Sequence, residues 1–140
     1  MSEPYAGDIT PTQAWKILED QPNAVLIDVR TAAEWAWVGQ TDLSSLEKTH
    51  SCVEWIRFPG GVPNDGFITD VRTKEISQDV PILLLCRSGV RSQHAAIALT
   101  QAGYKTCYNI SGGFEGEHDD QSHRGHKNGW KVDGLPWIQG

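Results

Sequence analysis

One cysteine in this chain opens a run whose residue types suit covalent chemistry on an anion: Cys86-Arg87-Ser88-Gly89-Val90-Arg91-Ser92. A thiol becomes a nucleophile once it loses its proton, and nearby guanidinium charge favours that loss. Arg87 and Arg91 supply such charge, Ser88 and Ser92 supply hydroxyl donors, and Gly89 permits the tight backbone turn that brings N–H groups onto one point. Cys86 is therefore the candidate nucleophile, and Arg87 through Ser92 are the candidate anion contacts. A plain strand-end cysteine is the alternative. It ranks lower, because an apolar strand end offers no carboxylate to pair two arginines, whereas an anionic substrate does.

The elements that must hold this run are legible on either side of it. Residues 82–85, Ile-Leu-Leu-Leu, are a continuous apolar stretch behind Pro81, as expected of a central parallel strand covered on both faces. From Val90 onward Ala95, Ala96, Ile97, Ala98 and Leu99 predict a helix with small residues for close packing, and Gly103 can cap its C-terminus. The cysteine would then sit between a strand end and a helix N-terminus, where backbone N–H groups and the helix dipole favour anions. A second apolar run, residues 24–29, also delivers polar groups to its end, Asp28 and Arg30. In open parallel sheets ligands gather at the C-terminal strand ends. Asp28 and Arg30 are thus expected near the cysteine loop, shaping the site through an ion pair or loop-bracing bonds rather than reacting.

The run from Cys86 to Ser92 resembles the active-site loop of the rhodanese family of sulfurtransferases. Two further segments agree in order: LIDVRTAAEW, residues 26–35, is similar to the family's Asp-x-Arg segment, and YNISGGFEG, residues 108–116, to its Asn-x-x-Gly-Gly segment. The resemblance spans roughly the whole chain. One departure is the stretch 38–52, longer than the short Gly-His-Ile-like piece that often stands there, which bears on the rim of the site and hence the substrate. The resemblance implies a Cys86 persulfide, formed from thiosulfate or a similar small anionic sulfur donor and passed to cyanide, a thiol or a protein acceptor. A cysteine-loop phosphatase or arsenate reductase is the first rival. Those place arginine six positions after the cysteine, whereas here Ser92 stands sixth and Arg91 fifth, a shorter loop that favours a sulfane-sulfur pocket. A regulatory or sulfur-carrier module is the second; retention of the cysteine and both arginines weighs against a purely regulatory one.

The remaining residues predict scaffold. Thr10-Pro11-Thr12-Gln13 and Thr31-Ala32-Ala33-Glu34 each read as capping boxes that open helices, the first running to about Asp20. A brief edge strand is expected at Asp8 and Ile9, a long loop with one helical turn at 43–46, a strand over 52–58, an amphipathic helix over 67–76 and a last strand over 105–110. Cys52 reads as a structural or surface thiol and Cys107 as a buried, inert one. Trp130, Leu135 and Trp137 are expected to dock the tail on the core. Residues 114–129 carry Glu115, Glu117, His118, Asp119, Asp120, His123 and His126, but their spacing matches no closed metal motif, so a solvated loop is expected and neither metal nor cofactor.

Strands alternating with helices imply one α/β domain over 1–140: a three-layer sandwich with a parallel sheet of about five strands and helices on both faces. With 140 residues, 39% of them hydrophobic and six tryptophans, a substantial core is available. A net charge of −6 disfavours nucleic acid and anionic membrane surfaces as partners. No apolar run reaches membrane-spanning length, and three widely spaced cysteines argue against a disulfide framework, so a cytoplasmic location is expected.

Overall fold

The computed structural model describes residues 4–57, 62–116, 120–124 and 128–138. Its centre is the apolar run 82–85. Placed in an extended strand, alternate residues of that run face opposite sides of the sheet, and both sides are buried. Ile82 and Leu84 join one core with Ile27, Val71, Ala95, Ala96 and Leu99, while Leu83 and Leu85 join another with Ala14, Leu18, Leu26, Ile110 and Trp130. A continuous rather than alternating hydrophobic pattern is the consequence.

In chain order, β1 (Gly7–Ile9) leads into α1 (Pro11–Asp20), then β2 (Val25–Asp28), α2 (Ala32–Trp37), β3 (Gln40–Thr41), a 3-10 turn at Ser44–Leu46 and β4 (Ser51–Cys52). There follow β5 (Ile56–Arg57), β6 (Val62–Pro63), α3 (Phe67–Thr73), β7 (Pro81–Leu85), α4 (Val90–Gln101), β8 (Thr106–Ile110) and β9 (Trp137–Ile138). The main sheet has five strands in the order β1-β8-β7-β2-β4, all parallel. Leu18 of α1 packs on one face, and Val71 of α3 and Leu99 of α4 on the other. This is the expected three-layer α/β arrangement with the switch in strand order beside β7.

Both predicted capping boxes form. The Thr10 side chain accepts from Gln13 N at 3.1 Å and Gln13 returns a bond to the Thr10 N–H at 2.8 Å; Thr31 and Glu34 repeat the pattern. Two elements differ from their sequence-based expectations. The strand expected over 52–58 is split: Ser51 and Cys52 pair with β2, but Ile56 and Arg57 turn away into an antiparallel hairpin with β6. Asn64 secures that turn, its N–H donating to Trp55 O at 3.0 Å and its amide to Glu54 O at 2.7 Å. Phe58 lies outside the described residues. The helix expected to reach Ile76 ends at Thr73, because Glu75 takes a left-handed φ of 58°.

The long stretch 38–52 is tied down from the far end of the chain. β9 pairs antiparallel with β3, and the Trp137 ring caps the Lys131 ammonium at 4.0 Å. Trp130 is fully buried and its indole N–H donates to Pro136 O at 2.8 Å. The tail therefore docks as expected, although Trp137 itself keeps 39% of its surface exposed.

Candidate active site

Cys86 follows β7 directly, at the C-terminal edge of the sheet and at the foot of α4. Its side chain is 1% exposed. Sγ accepts the Gly89 N–H at 3.1 Å and lies 3.2 Å from the Ser92 hydroxyl. Gly89 can aim its N–H inward because it takes a φ of 109°, which a side chain would oppose. It is also the residue that precedes α4, so the sulfur faces the helix N-terminus.

The loop's carbonyls point the other way, onto the segment after β8. Phe114 N donates to Cys86 O at 2.8 Å, and Glu115 N and Gly116 N donate to Arg87 O at 2.9 and 3.1 Å. Such close apposition needs Gly113, where an added Cβ would meet the Arg87 carbonyl carbon at 2.6 Å and collide with Cys86 O. The paired glycines seen in the sequence thus form the wall against which the cysteine loop is pressed.

The four charged residues singled out in the sequence are sorted by their partners. Asp28 and Arg30, both 0% exposed, form a buried ion pair with Nη2 to Oδ2 at 2.7 Å and Nε to Oδ1 at 2.9 Å. Arg30 also donates to Gly39 O at 2.7 Å and lies over the Phe114 ring at 4.3 Å. The pair joins the end of β2, the start of the long stretch and the wall behind the loop. Arg91 is engaged on both nitrogens by Glu34, at 2.7 and 2.9 Å, a fork on a carboxylate that fixes α2 against the start of α4. Burial pushes the Glu34 carboxyl up, but the Arg91 hydrogen bond and charge, with the Thr31 N–H, outweigh it and hold it below the usual glutamate range. Arg87 is exposed and borders a cleft with Glu34, Val38, Glu115, His123 and Arg124.

Glu34 was visible in the sequence only as a capping residue, and nothing local paired it with an arginine 57 residues away. Asn109 is a second residue whose position emerges from the tertiary structure: its Oδ1 lies 2.5 Å from Ser92 Oγ. Its signal was the Asn-x-x-Gly-Gly segment. Among the described residues no group of three His, Cys, Asp or Glu side chains could hold a metal ion; Glu117, His118, Asp119 and His126 lie outside them. The other two thiols are held protonated, with burial pushing Cys52 up to about 12 and Cys107 up to about 11. Cys52 lines a separate cavity with Trp35, Asn64 and Lys74.

A family model described as the STR4 middle domain matches residues 7–140. The protein RC0915 of Rickettsia conorii is 40% identical over 130 residues, covering 93% of this chain and 95% of that one. GlpE of Actinobacillus pleuropneumoniae, a thiosulfate sulfurtransferase, is 26% identical over 136 residues, covering 97% and 95%. Among solved structures, Rv0390 from M. tuberculosis superposes with a TM-score of 0.90 at 51% identity, over 97% of this chain and 99% of that one. The rhodanese-like domain of Alr3790 from Anabaena sp. shares the fold, with a TM-score of 0.61 at 15% identity over 99% and 80%. Fold, family model and the cysteine loop agree, and this chain belongs to the rhodanese-like family.

Proposed function

We propose that the protein is a sulfurtransferase that carries sulfur as a persulfide on Cys86. The observation that carries this reading is the placement of Cys86 Sγ: at the floor of a short loop, 1% exposed, with the Gly89 N–H directed at it and Ser92 Oγ 3.2 Å away. So enclosed a sulfur suits a terminal atom that enters the loop alone, such as the outer sulfur of thiosulfate, better than a bulky acyl or phosphoryl centre. The resemblance to a thiosulfate sulfurtransferase supports the same donor.

In the first half-reaction the Cys86 thiolate attacks the outer sulfur of thiosulfate; the donor's S–S bond breaks and sulfite leaves with the bonding pair. In the second, cyanide, a thiol or a protein acceptor attacks the outer persulfide sulfur, and the Cys86 thiolate departs with its pair. Each half is a displacement with a covalent intermediate, so the kinetics are ping-pong. Gly89 N–H stabilises negative charge on the sulfur. With Arg91 held by Glu34 and Arg30 by Asp28, Arg87 is the guanidinium assigned to the donor's sulfonate end.

Mass spectrometry of the protein after exposure to thiosulfate tests the reading. One added sulfur atom on the Cys86 peptide is expected. Hydrolysis of aryl phosphates without such an adduct would select the phosphatase reading instead.

A further inference from the structure

Cys86 adjoins a chain of polar side chains that the sulfur displacement does not use. Ser92 is fully buried and owns a single hydroxyl proton, yet two acceptors lie within its reach: Cys86 Sγ at 3.2 Å and Asn109 Oδ1 at 2.5 Å. Asn109 is itself 4% exposed. The next link decides which end of its amide faces the serine. Asn109 Nδ2 donates to Asp8 Oδ1 at 3.0 Å, and the same oxygen accepts the Tyr5 hydroxyl at 2.8 Å. A carboxylate only accepts, so the amide N–H end is held toward Asp8 and the amide oxygen toward Ser92. The parallel pairing of β1 with β8 sets Asp8 directly beside Asn109 and keeps that orientation.

The hydrogen available between Ser92 Oγ and Asn109 Oδ1 is then the serine's own. Two oxygens this close without a proton between them repel. From this arrangement we infer that Asn109 is a positioning residue that determines, through Ser92, whether a hydroxyl proton faces the catalytic sulfur. The inference rests on the sulfurtransferase reading for what Cys86 does, and concerns only the proton beside it.

With Cys86 as a thiol, every donor points the same way: Sγ–H to Ser92 Oγ, and Ser92 to Asn109. When the thiol gives its proton to solvent, the Ser92 hydroxyl turns to the thiolate and leaves the two oxygens facing each other bare. When a sulfane sulfur bonds to Sγ, the negative charge moves to the outer atom and the hydroxyl returns to Asn109. Asn109 thus favours the thiol and the persulfide over the empty thiolate, so that the thiolate, once formed, is driven toward the loaded state. The other charged groups around the site are Arg87 and Arg91, Glu34 of α2, Asp28 at the end of β2 with Arg30 beyond it, and Glu115, His123 and Arg124 beyond β8.

The test is the rate of Cys86 alkylation by iodoacetamide against pH, followed on the Cys86 peptide. Asn109→Leu removes the acceptor at similar size. Asp8→Ala, at an exposed position, removes the acceptor that holds the amide, releases it to turn its N–H toward Ser92, and serves where the first variant fails to fold. Each is expected to lower the alkylation midpoint by about one pH unit, the worth of a hydrogen bond regained by a charged sulfur. The shift should largely vanish when Ser92→Ala is also present. An equal shift with and without Ser92 would mean a field or packing effect and overturn the inference, as would no shift at all. Persulfide formation from thiosulfate is scored in the same preparations: its absence in the unaltered protein defeats the sulfur-transfer reading, while its presence with an unmoved midpoint defeats only the role of Asn109.

Discussion

At the scale of single residues, three thiols share one chain and their surroundings divide them. Cys86 is met by the Gly89 N–H and the Ser92 hydroxyl, whereas Cys52 and Cys107 are pushed up to about 12 and about 11 by burial. At neutral pH the latter two remain thiols, and thiols are poor nucleophiles. Iodoacetamide at pH 7 is therefore expected to label Cys86 well before the others, as peptide mapping would show. Cys86→Ser should abolish thiosulfate:cyanide transfer while the melting temperature stays close to that of the parent, and Cys52→Ser should keep activity. Retained transfer in Cys86→Ser would remove the nucleophile assignment. The raised thiols also carry a stability signature. An unfolded cysteine ionises near 9, before the buried ones can, so the fold gains this contribution below pH 9 and loses it as the pH climbs toward 11 and 12. Denaturant midpoints measured from pH 8 to 10.5 should fall, and Cys107→Ser should flatten that fall.

At the scale of elements, the loop holds its shape because α2, α4 and the segment after β8 press on it from different sides. The Arg91 to Glu34 fork is the α2 contact, with both side chains about four-fifths buried at 20% and 19% exposure. Glu34→Gln is expected to lower sulfur transfer several-fold by loosening the start of α4, while Arg91→Lys, which cannot make the fork, should not restore full rate. Since the folded Glu34 carboxyl lies below its unfolded value, its stabilisation is present at neutral pH and is lost as the pH falls through the glutamate range; the Gln variant should show less acid sensitivity between pH 5 and pH 3. Arg87 has a different expected signature. Its replacement by Ala should raise the KM for thiosulfate about tenfold or more and leave stability nearly unchanged, because the contact it loses is to substrate. A KM unaffected by Arg87→Ala would move the donor's anionic end elsewhere.

At the scale of the whole molecule, two hydrophobic cores sandwich the sheet, and the tail completes one of them. Trp130 is fully buried among Leu18, Leu85, Ile110 and Phe114. Trp130→Ala should cost about 3–5 kcal/mol of folding free energy by chemical denaturation, the range for deleting a large aromatic from a core. Phe114 and the wall behind the cysteine loop adjoin that same core, so activity should decline at lower denaturant than global unfolding in this variant. No described helix is long and apolar enough to cross a membrane.

Much of this was legible locally. An apolar run ending in a cysteine, two capping boxes and a glycine pair are short-range patterns, and short-range physics makes strands, helix starts and tight turns from them wherever the chain lies. Hence the strand, loop and helix around Cys86, the five-stranded α/β fold and the positions of Asp28 and Arg30 at a strand end could be read from residues alone. Which guanidinium is neutralised could not. Arg87 and Arg91 are equal in the sequence, and only the packing of α2 beside α4 brings Glu34 to Arg91. The same holds for Ser92, Asn109 and Asp8, joined by the pairing of the first strand with the last strand of the main sheet, and for β9, which crosses the molecule to close on β3. Local pattern determines what an element is, whereas partnership between distant polar groups depends on register and helix docking, which only the assembled tertiary structure sets.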